Sequence, residues 1–465
     1  MPSQITYINS IASDLKSMIN GDVSSIETDL LDVSQDFGGI VQKRPQVVVR
    51  PQNSMDVATA VKYALSNDLT LSSRAAGHSC SGQSLNQDGI LLDMRSLNQI
   101  HEFYPDRLWF KADAGVTWRK IVDTSLPQGV IPPVLTNNFD VTIGGTLSAA
   151  GIGQNSFRYG CQADNCLGLE VVTGTGDLVW CSPDENSELF RHVLCGYGQF
   201  GIMTQIQHRL RPYRPFTRTY FLRFDDLDSL LTAERLLVSE DRVDGLLALF
   251  SPCMLGVARG GTGIQPLIQW FYRMQMTVEV DSTNDINQEQ LLSDLNFQRH
   301  IYTEDLTFEQ FIQPIAEVPH PAGDANPWLD MFLPASIAKD YIETALQRIP
   351  GFLDFRKTPV GSFCMSPKTI HNPLFPLPPE DLVIGFGMYP TIPKPQLPLV
   401  AEQLNALTEL GFKMGGKRYL ATWSDFGLPQ WRLQFGEYWP TLNEMKRKYD
   451  PKGLLNPGFL QYESA

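Results

Sequence analysis

The chain has 465 residues, of which 43% are hydrophobic and 19% charged, and its formal net charge at neutral pH is −14. A chain of this length usually divides its apolar residues between more than one hydrophobic core, so two domains are expected. The acidic balance disfavours nucleic acid and anionic membrane surfaces as main partners, because both repel a negatively charged protein.

The first residues and the 7 cysteines bear on location and redox state. Residues 1–10 lack a basic region followed by an apolar core, and no stretch of about eighteen consecutive apolar residues occurs in the chain. We therefore expect a cytoplasmic protein without a membrane span. The cysteines form no paired Cys-x-x-Cys pattern, so free, buried thiols are expected and a metal site is not.

In chain order, the first pattern is a β-α-β unit that ends in a loop of small residues. Residues 44–51 and 69–72 predict strands, and apolar residues at helical spacing predict a helix over residues 55–66. Residues 74–83 follow, and in them His78 stands among small residues, one of them a glycine. Such a backbone can approach a ligand closely and hold a pyrophosphate with its N–H groups. A histidine there suits covalent attachment of a flavin, and the alternative is a structural histidine in a tight turn.

Further glycine-rich segments follow this loop. Residues 136–153 are rich in glycine and small residues, and residues 167–179 predict a hairpin that turns at Gly-Thr-Gly-Asp. Residues 196–204 again combine glycines with an apolar run. The first part of the chain therefore consists of short α/β units joined by turns that bring the backbone close to a ligand.

The second part of the chain has longer elements, which predict a broad antiparallel sheet backed by helices. The predicted strands cover residues 217–224, 245–257, 265–276, 331–333 and 382–389, and a helix is predicted over residues 227–238. Residues 371–379 are rich in proline and predict an ordered loop near the pocket or at the surface. The end of the chain predicts a helix over residues 438–449, followed by a turn at Asn456.

Together these motifs resemble the vanillyl-alcohol oxidase superfamily of flavoproteins and, within it, the cytokinin dehydrogenases. Besides the His78 loop, the likeness rests on residues 142–148, 198–204, 318–321, 327–334 and 449–458. It implies an α+β protein with a PCMH-type FAD-binding fold and a substrate domain built on an antiparallel sheet backed by helices. The implied division is a FAD-binding domain over residues 1–215 with its core at about 40–215, a substrate domain over 216–430, and a return of residues 431–465 to the first domain.

The resemblance also implies a covalently bound FAD. His78 matches the histidine that is bonded to the 8α-methyl carbon of the flavin. No cysteine lies near Asn138, where related flavoproteins carry a second, cysteinyl link, so a single link is expected. Cys80 is expected to point away from the flavin and to pack. The other positions that match cofactor-contacting residues are Ala75, Gly77, Ser79, Gln83, Thr142, Ser148, Ile152, Ile202, Trp423 and Asn456.

The substrate side departs from the family. Asn137 stands where cytokinin dehydrogenases carry the aspartate that accepts a proton from the secondary amine of the substrate. An amide is not basic near neutral pH, so Asn137 can position a substrate but cannot take this proton. Asp140 substitutes for the aspartate only if the loop is re-registered, and is otherwise a solvated or turn-capping carboxylate. Residues 391–395 also lack the tryptophan that walls the adenine pocket in the family.

The predicted function is that of a FAD-dependent oxidoreductase that takes hydride from a C–N bearing carbon of a small molecule and passes electrons to oxygen or another acceptor. Further aromatic candidates for the pocket are Trp328 and Tyr419, and His320 is expected in a surface loop. Two alternatives stay open. The first is an alcohol, sugar or specialised-metabolite oxidase of the same fold, which Asn137 favours. The second is a flavin-binding protein with little catalysis.

Overall fold

The computed structural model describes residues 4–260, 263–313, 323–349, 353 and 358–463. Residues 318–321, which include His320, lie outside the described residues. The described chain forms a small mixed sheet, an antiparallel sheet and a large antiparallel sheet, in that order along the sequence.

The first of these sheets is covered by helices. Its described strands run in the order β1-β2-β4-β3, with β2 and β3 both parallel to β4. The predicted β-α-β unit is confirmed, with β4 lying between its two strands. The elements of this part are α1 (Gln4–Met18), β1 (Asp22–Ser24), α2 (Glu27–Asp32), β2 (Val47–Arg50), α3 (Ser54–Ser66), β3 (Leu71–Arg74) and β4 (Ile90–Asp93).

Local sequence explains why these elements form and pack. Strand β2 begins with three buried valines, since a parallel strand covered on both faces takes apolar residues at every position. Helix α3 begins after Asn53, whose side chain accepts a hydrogen bond from the backbone N–H of Asp56. Leu15 of α1 is fully buried against the same core, so the N-terminal helix packs over this sheet.

The second sheet is antiparallel, with its described strands in the order β5-β6-β10-β8-β9. Strands β8 and β9 form the hairpin that the Gly-Thr-Gly-Asp turn predicts. Short strands β7 and β11 pair beside it. The elements are β5 (Ile100–Tyr104), β6 (Trp109–Asp113), α4 (Trp118–Ser125), β7 (Val130–Ile131), α5 (Ile143–Leu147), α6 (Ser156–Tyr159), β8 (Cys166–Val172), β9 (Leu178–Cys181), α7 (Ser187–Val193), β10 (Ile202–Arg209) and β11 (Arg211–Pro212).

The third sheet contains the strand order β15-β12-β14-β13-β18-β19-β17-β21 among the described residues, and its pairs are antiparallel. This confirms the broad antiparallel sheet predicted from the sequence. The elements are β12 (Phe216–Phe224), α8 (Leu227–Ser239), β13 (Gly245–Gly260), β14 (Gly263–Val280), α9 (Gln288–Leu292), β15 (Arg299–Thr307), α10 (Phe308–Phe311), β16 (Asp324–Ala325), β17 (Leu329–Pro334), α11 (Ala338–Arg348), β18 (Val360–Met365), β19 (Val383–Met388), β20 (Ile392–Pro393), α12 (Leu397–Lys413), β21 (Lys417–Arg418), α13 (Leu428–Phe435) and α14 (Trp439–Tyr449).

The two faces of the large sheet have different neighbours. Leu329, Met331 and Leu333 of β17 are buried in one cluster with residues of helices α8, α11 and α12. Phe332 belongs instead to the cluster that contains the second sheet. Because successive side chains of a strand point to opposite faces, Asp330 lies on the same face as Phe332, toward the first half of the chain.

The last residues of the chain return to the first sheet. The backbone N–H of Leu71 donates to Leu454 O at 2.9 Å, and that of Asn456 donates to Leu71 O at 2.9 Å. Residues 371–379 contain no helix or strand, as predicted, and they bury Leu374 and Phe375.

The structure bears on two predictions made from composition, which concern membrane-spanning helices and the burial of the cysteines. No helix in the described ranges has the length and apolar character needed to cross a bilayer. All 7 cysteines are free, but Cys253 is exposed, so the prediction of buried thiols was wrong at that position. The reason is that Cys253 lies beyond Phe250, the last residue of β13 that pairs with β18.

Candidate active site

The loop of residues 74–83 follows β3 and is held by the segment before β2. The backbone N–H of Phe37 donates to Gly77 O at 2.8 Å, and that of Gly38 donates to Ser79 O at 3.1 Å. Gly77 adopts φ +68, in the left-handed region that favours glycine. These hydrogen bonds and this turn fix the direction in which the next side chain projects.

That side chain, His78, lies between aromatic rings from two parts of the molecule. Its imidazole stacks on Phe37, with ring centroids 4.2 Å apart and planes inclined by 10°. Trp328, which comes just before β17, meets it edge-on at a centroid distance of 6.1 Å. All three rings are only partly buried. His78 is therefore oriented at the place where the loop meets the large sheet.

The side chain of Arg74 lies inside the loop. A Cβ atom at Gly77 would stand 2.4 Å from its guanidinium, so a side chain there would displace the guanidinium. Burial lowers the pKa of Arg74, and attraction to Asp36 opposes that shift. Its Nη1 has no hydrogen-bond partner among the described residues. A buried cationic donor at a turn of backbone N–H groups fits an anionic diphosphate, so these residues fit FAD.

A cavity of about 210 Å³ opens beside this loop. Ala76 lines it together with the cations of Arg95 and Lys120 and with Thr142. Thr142 is buried, and its Oγ1 accepts a hydrogen bond from the backbone N–H of Gly145 at 3.3 Å, which begins helix α5. With the Asp140 carboxylate also in the lining, cations outnumber anions by two to one, which suits the phosphates of a dinucleotide.

Gln83 and Asn456 tie the loop to the rest of the protein. Gln83 Nε2 donates to Leu420 O at 2.8 Å. Asn456 Nδ2 donates to Tyr197 O at 2.8 Å, and its Oδ1 accepts from the backbone N–H of Ser73 at 3.1 Å. Both side chains are buried. The structure thus places these two amides as supports of the loop.

The smaller predicted cofactor residues lie around the same region. Ser148 Oγ donates to Gly144 O at 2.8 Å, within the turn after α5. Ile152 is partly buried against the second sheet, and Ala75 is partly buried against the first. Ile202 is 2% exposed at the start of β10, so most of its surface is used in packing.

Trp423 and Cys80 both pack in the cluster on the large sheet. Trp423 is 6% exposed, and its backbone N–H donates to Trp328 O at 2.9 Å. Cys80 is 1% exposed, and burial raises the pKa of its thiol. The packing role predicted for Cys80 is confirmed.

Asn137 and Asp140 lie at different cavities. Asn137 is exposed and lines a second cavity of about 140 Å³ together with Gln154 and Gly245. Asp140 lines the first cavity and accepts two hydrogen bonds from Arg119, at 2.6 and 2.9 Å. These bonds lower the pKa of the Asp140 carboxyl. Asp140 is therefore a charged ion-pair partner, and the structure does not bring it together with Asn137.

A buried carboxyl that was not predicted from the sequence lies on the opposite side of the site. Asp330 is 3% exposed, and the Tyr389 hydroxyl donates to its Oδ1 at 2.6 Å. Burial raises the pKa of Asp330 to about 7, against the opposing effects of Tyr389 and Arg418. Tyr389 is partly buried and meets Trp328 edge-on at a centroid distance of 5.2 Å. Trp328 therefore contacts both the Asp330–Tyr389 pair and His78.

One feature of the sequence indicates the Asp330–Tyr389 pair, and none indicates the contact of Phe37 with His78. Asp330 is the charged residue in a strand, Leu329–Pro334, that is otherwise apolar and buried at every position. A carboxyl in such a strand needs a hydrogen-bond partner, which here comes from Tyr389 on a neighbouring strand's end. Phe37 reaches His78 only because its segment pairs with the loop, and no local pattern marks that pairing.

Two family profiles match the chain. Residues 45–182 match the FAD binding domain family. Residues 267–461 match the family described as cytokinin dehydrogenase 1, FAD and cytokinin binding. The first match contains the His78 loop, and the second contains Trp328, Asp330 and Tyr389.

Relatives align over nearly the whole chain. An uncharacterized oxidoreductase of the fasciation locus of Rhodococcoides fascians is 30% identical, over 92% of this chain and 96% of the relative. Cytokinin dehydrogenase 10 of Oryza sativa subsp. japonica is 30% identical, over 94% of this chain and 88% of the relative. A crystal structure of 6-hydroxy-D-nicotine oxidase from Arthrobacter nicotinovorans superimposes with a TM-score of 0.71 at 21% identity, over 94% of this chain and 96% of that chain. The fold is therefore shared with that oxidase.

Proposed function

Because the chain belongs to the cytokinin dehydrogenase-like group of the vanillyl-alcohol oxidase superfamily of FAD-dependent oxidoreductases, we propose that it oxidises a small-molecule amine. A hydride leaves the carbon that bears nitrogen, and the nitrogen loses a proton, so that the product is an imine. When bound, FAD accepts the hydride and passes the electrons to oxygen or another acceptor.

The residues of the His78 loop are proposed to hold the cofactor. Arg74 and the backbone N–H groups near Gly77 bind the diphosphate, and His78 is the single covalent tether to the flavin. The assignment to a diphosphate is supported by the unpartnered Nη1 of Arg74 and by the cations Arg95 and Lys120 at the adjoining cavity. The proposed domain division stays at residue 215, with residues 431–465 completing the FAD-binding domain.

The observation that carries the proposal is the position of His78. Its ring contacts Phe37, which is paired with the cofactor loop, and Trp328, which leads into the substrate sheet. A flavin bonded to this ring would begin at the boundary of the two parts of the molecule. Substrate bound against the large sheet would then meet a cofactor that is fixed and shielded from water.

The tether is tested by acid precipitation of the flavin-loaded protein. The yellow colour should stay with the precipitated wild-type protein, whereas His78→Ala should release all FAD into the supernatant because the covalent bond is absent. Cys80→Ala is the matched control and should keep the flavin bound. A flavin-bearing peptide attached through any other residue would refute the proposed link.

The reaction is tested by anaerobic mixing with isopentenyladenine, other secondary amines, alcohols and sugars, while the absorbance of oxidised flavin is followed. An amine should reduce the flavin fastest. Reduction by alcohols or sugars alone would replace the amine proposal by the second candidate, an alcohol or sugar oxidase of the same fold.

Two observations favour that second candidate. Asn137 supplies no base to the cavity that it lines, and Thr391 Oγ1 donates to Asn326 Oδ1 at 2.8 Å where the family usually builds an aromatic wall. A stacking wall contributes on the order of 1 kcal/mol to binding a planar ring, so its loss weakens adenine binding by roughly fivefold to tenfold. Cytokinins should therefore be secondary substrates of this protein.

A further inference from the structure

The proposed oxidation releases a proton together with a hydride, and neither predicted loop residue is suited to take that proton. Asn137 carries a neutral amide, which is not basic near neutral pH. Asp140 is exposed and engaged by Arg119 through two hydrogen bonds, which lower its pKa. A proton acceptor is therefore needed on another side of the site.

Asp330, on the large sheet, is a candidate for this proton acceptor. Asp330 of β17 pairs with Gly387 of β19. A Cβ atom at Gly387 would stand 2.1 Å from the Tyr389 hydroxyl oxygen. Because Gly387 has no side chain, the Tyr389 hydroxyl can lie at this position, where it donates a hydrogen bond to Asp330 Oδ1 at 2.6 Å.

The other groups that face Asp330 leave its carboxyl free to exchange a proton. Arg418 Nε donates to the backbone oxygen of Asp330 at 3.0 Å. The terminal nitrogens of this arginine donate at 2.6 and 2.5 Å to Thr408 Oγ1 and Trp423 O. Tyr419 and Cys80 also face Asp330, and burial raises the pKa of both, which keeps them neutral. Within the described residues, Asp330 forms no ion pair.

Resting on the proposed function, we propose that Tyr389 and Asp330 together accept the proton of the substrate. The Tyr389 oxygen takes the proton from the N–H of the amine while the hydroxyl proton passes along the hydrogen bond to Asp330 Oδ1. The hydride leaves the adjacent carbon for FAD, and the substrate becomes the imine. Asp330 gains one proton, Tyr389 is unchanged, and an O–H substrate would use the same path.

The two residues differ in burial, and this difference gives them different parts in the proton transfer. Tyr389 keeps part of its surface accessible and contacts Trp328, which in turn contacts His78. Asp330 is buried behind it and holds its proton with a pKa of about 7. A group of this pKa exchanges its proton near neutral pH, which is the requirement for a general base and acid.

Anaerobic flavin reduction tests the pair with the substrate class that works best on the wild-type protein. The wild-type rate should rise with pH and level off above about 7. Asp330→Asn should lower the rate by roughly 100-fold to 10,000-fold and remove this pH dependence, and Tyr389→Phe should act in the same direction. A wild-type rate retained by Asp330→Asn would overturn the inference.

The control is Glu234→Gln, a second buried carboxyl on the helix side of the same sheet. Ser362 Oγ donates to Glu234 Oε1 at 2.9 Å, and burial raises the pKa of Glu234 to about 7. This variant should keep the wild-type rate within about twofold, since the hydrogen bond of Glu234 within the described part of the chain goes to Ser362 and not to a residue of the site.

Infrared spectroscopy supplies a readout that needs no substrate. Asp330→Asn should remove one carboxylic-acid carbonyl band that titrates near pH 7, and Glu234→Gln should remove a different one. If Asp330→Asn removed none of the acid bands that titrate near pH 7, the inference would be overturned. If no amine, alcohol or sugar reduces the wild-type flavin, the proposed function fails, and the band still decides whether Asp330 holds the proton.

Discussion

A carboxyl group takes its role from its burial and its partners, as two aspartates of this chain show. Asp140 is exposed and bonded to Arg119, so its pKa is lowered and it stays charged. Asp330 is buried, so its pKa is raised to about 7 although the hydrogen bond from the neutral Tyr389 hydroxyl opposes this shift. The sequence alone shows the same residue type at both positions, and the neighbours that distinguish them lie far away along the chain.

A base at position 137 should replace the Asp330–Tyr389 pair when that pair is disabled. In the Asp330→Asn background, Asn137→Asp should raise the rate of flavin reduction by an amine about 10-fold to 1,000-fold, which overlaps the contribution of a positioned general base. In the wild-type background the gain should be smaller, because a base is already present. Stopped-flow reduction of the flavin measures both.

The control for this prediction is Asn138→Asp. Asn138 Oδ1 accepts a hydrogen bond from the backbone N–H of Asp140 at 2.7 Å, so a carboxylate there should remain in the turn and leave the rate unchanged. If Asn137→Asp gives no gain in a folded, flavin-loaded protein, position 137 does not reach the substrate nitrogen.

At the scale of elements, periodic patterns predicted more of the fold than of the site. Sequence patterns predicted β12, β13, β14, β17 and β19 of the large sheet but not β15, β18 or β21, and the turn sequence predicted the hairpin of β8 and β9. These elements depend on local chemistry and on one apolar face. The Asp330–Tyr389 pair depends on the register of two strands, and the Phe37–His78 stack depends on the pairing of a distant segment. Single-sequence patterns do not encode either register.

Strand β19 offers a test of that register. Gly387→Ala should displace the Tyr389 hydroxyl, because the added Cβ would stand 2.1 Å from its oxygen. The expected results are a loss of roughly 1–3 kcal/mol in the free energy of unfolding, from overpacking, and a flavin reduction rate as low as that of Tyr389→Phe. Denaturant unfolding and stopped-flow reduction give the two quantities.

Gly385→Ala is the matched control on the same strand and face. Its Cβ would stand 2.3 Å from the ring of Phe363, so it should cost similar stability. It should leave the infrared band of Asp330 and the pH dependence of the rate unchanged. Equal effects of both variants on the pH dependence would mean that general disorder of the sheet, and not the Tyr389 bond, controls proton transfer.

At the scale of the whole molecule, buried titratable groups make the stability of the fold depend on pH. Asp36 lies behind the cofactor loop, Glu234 lies on the helix side of the large sheet, and Asp330 lies on its other face. Burial raises the pKa of each carboxyl to about 7. His208, on β10 of the second sheet, has its pKa lowered to about 4 by burial. These groups decide how stability changes between pH 5 and 8.

The free energy of unfolding should fall as the pH rises from 5 to 8. The unfolded chain releases carboxyl protons near pH 4, whereas the folded chain keeps those of Asp36, Glu234 and Asp330 until about pH 7, so folding is favoured most at the acidic end of this window. His208 and His192, whose pKa values are lowered by burial, act in the opposite direction below about pH 6.5, but they are two groups against three.

Denaturant unfolding of the flavin-loaded protein at several pH values measures this slope. Each net proton held by the folded state contributes roughly 1.4 kcal/mol per pH unit. Glu234→Gln should flatten the slope without changing the flavin, because this carboxyl lies on the helix side of the sheet and bonds only to Ser362 among the described side chains. A slope that Glu234→Gln leaves unchanged would show that Glu234 is already ionised at pH 5 in the folded protein. A stability that rises toward pH 8 would show the same of all three buried carboxyls. Asp330 would then hold no proton that it could exchange near neutral pH, and proton acceptance by the Asp330–Tyr389 pair would show no pH dependence there.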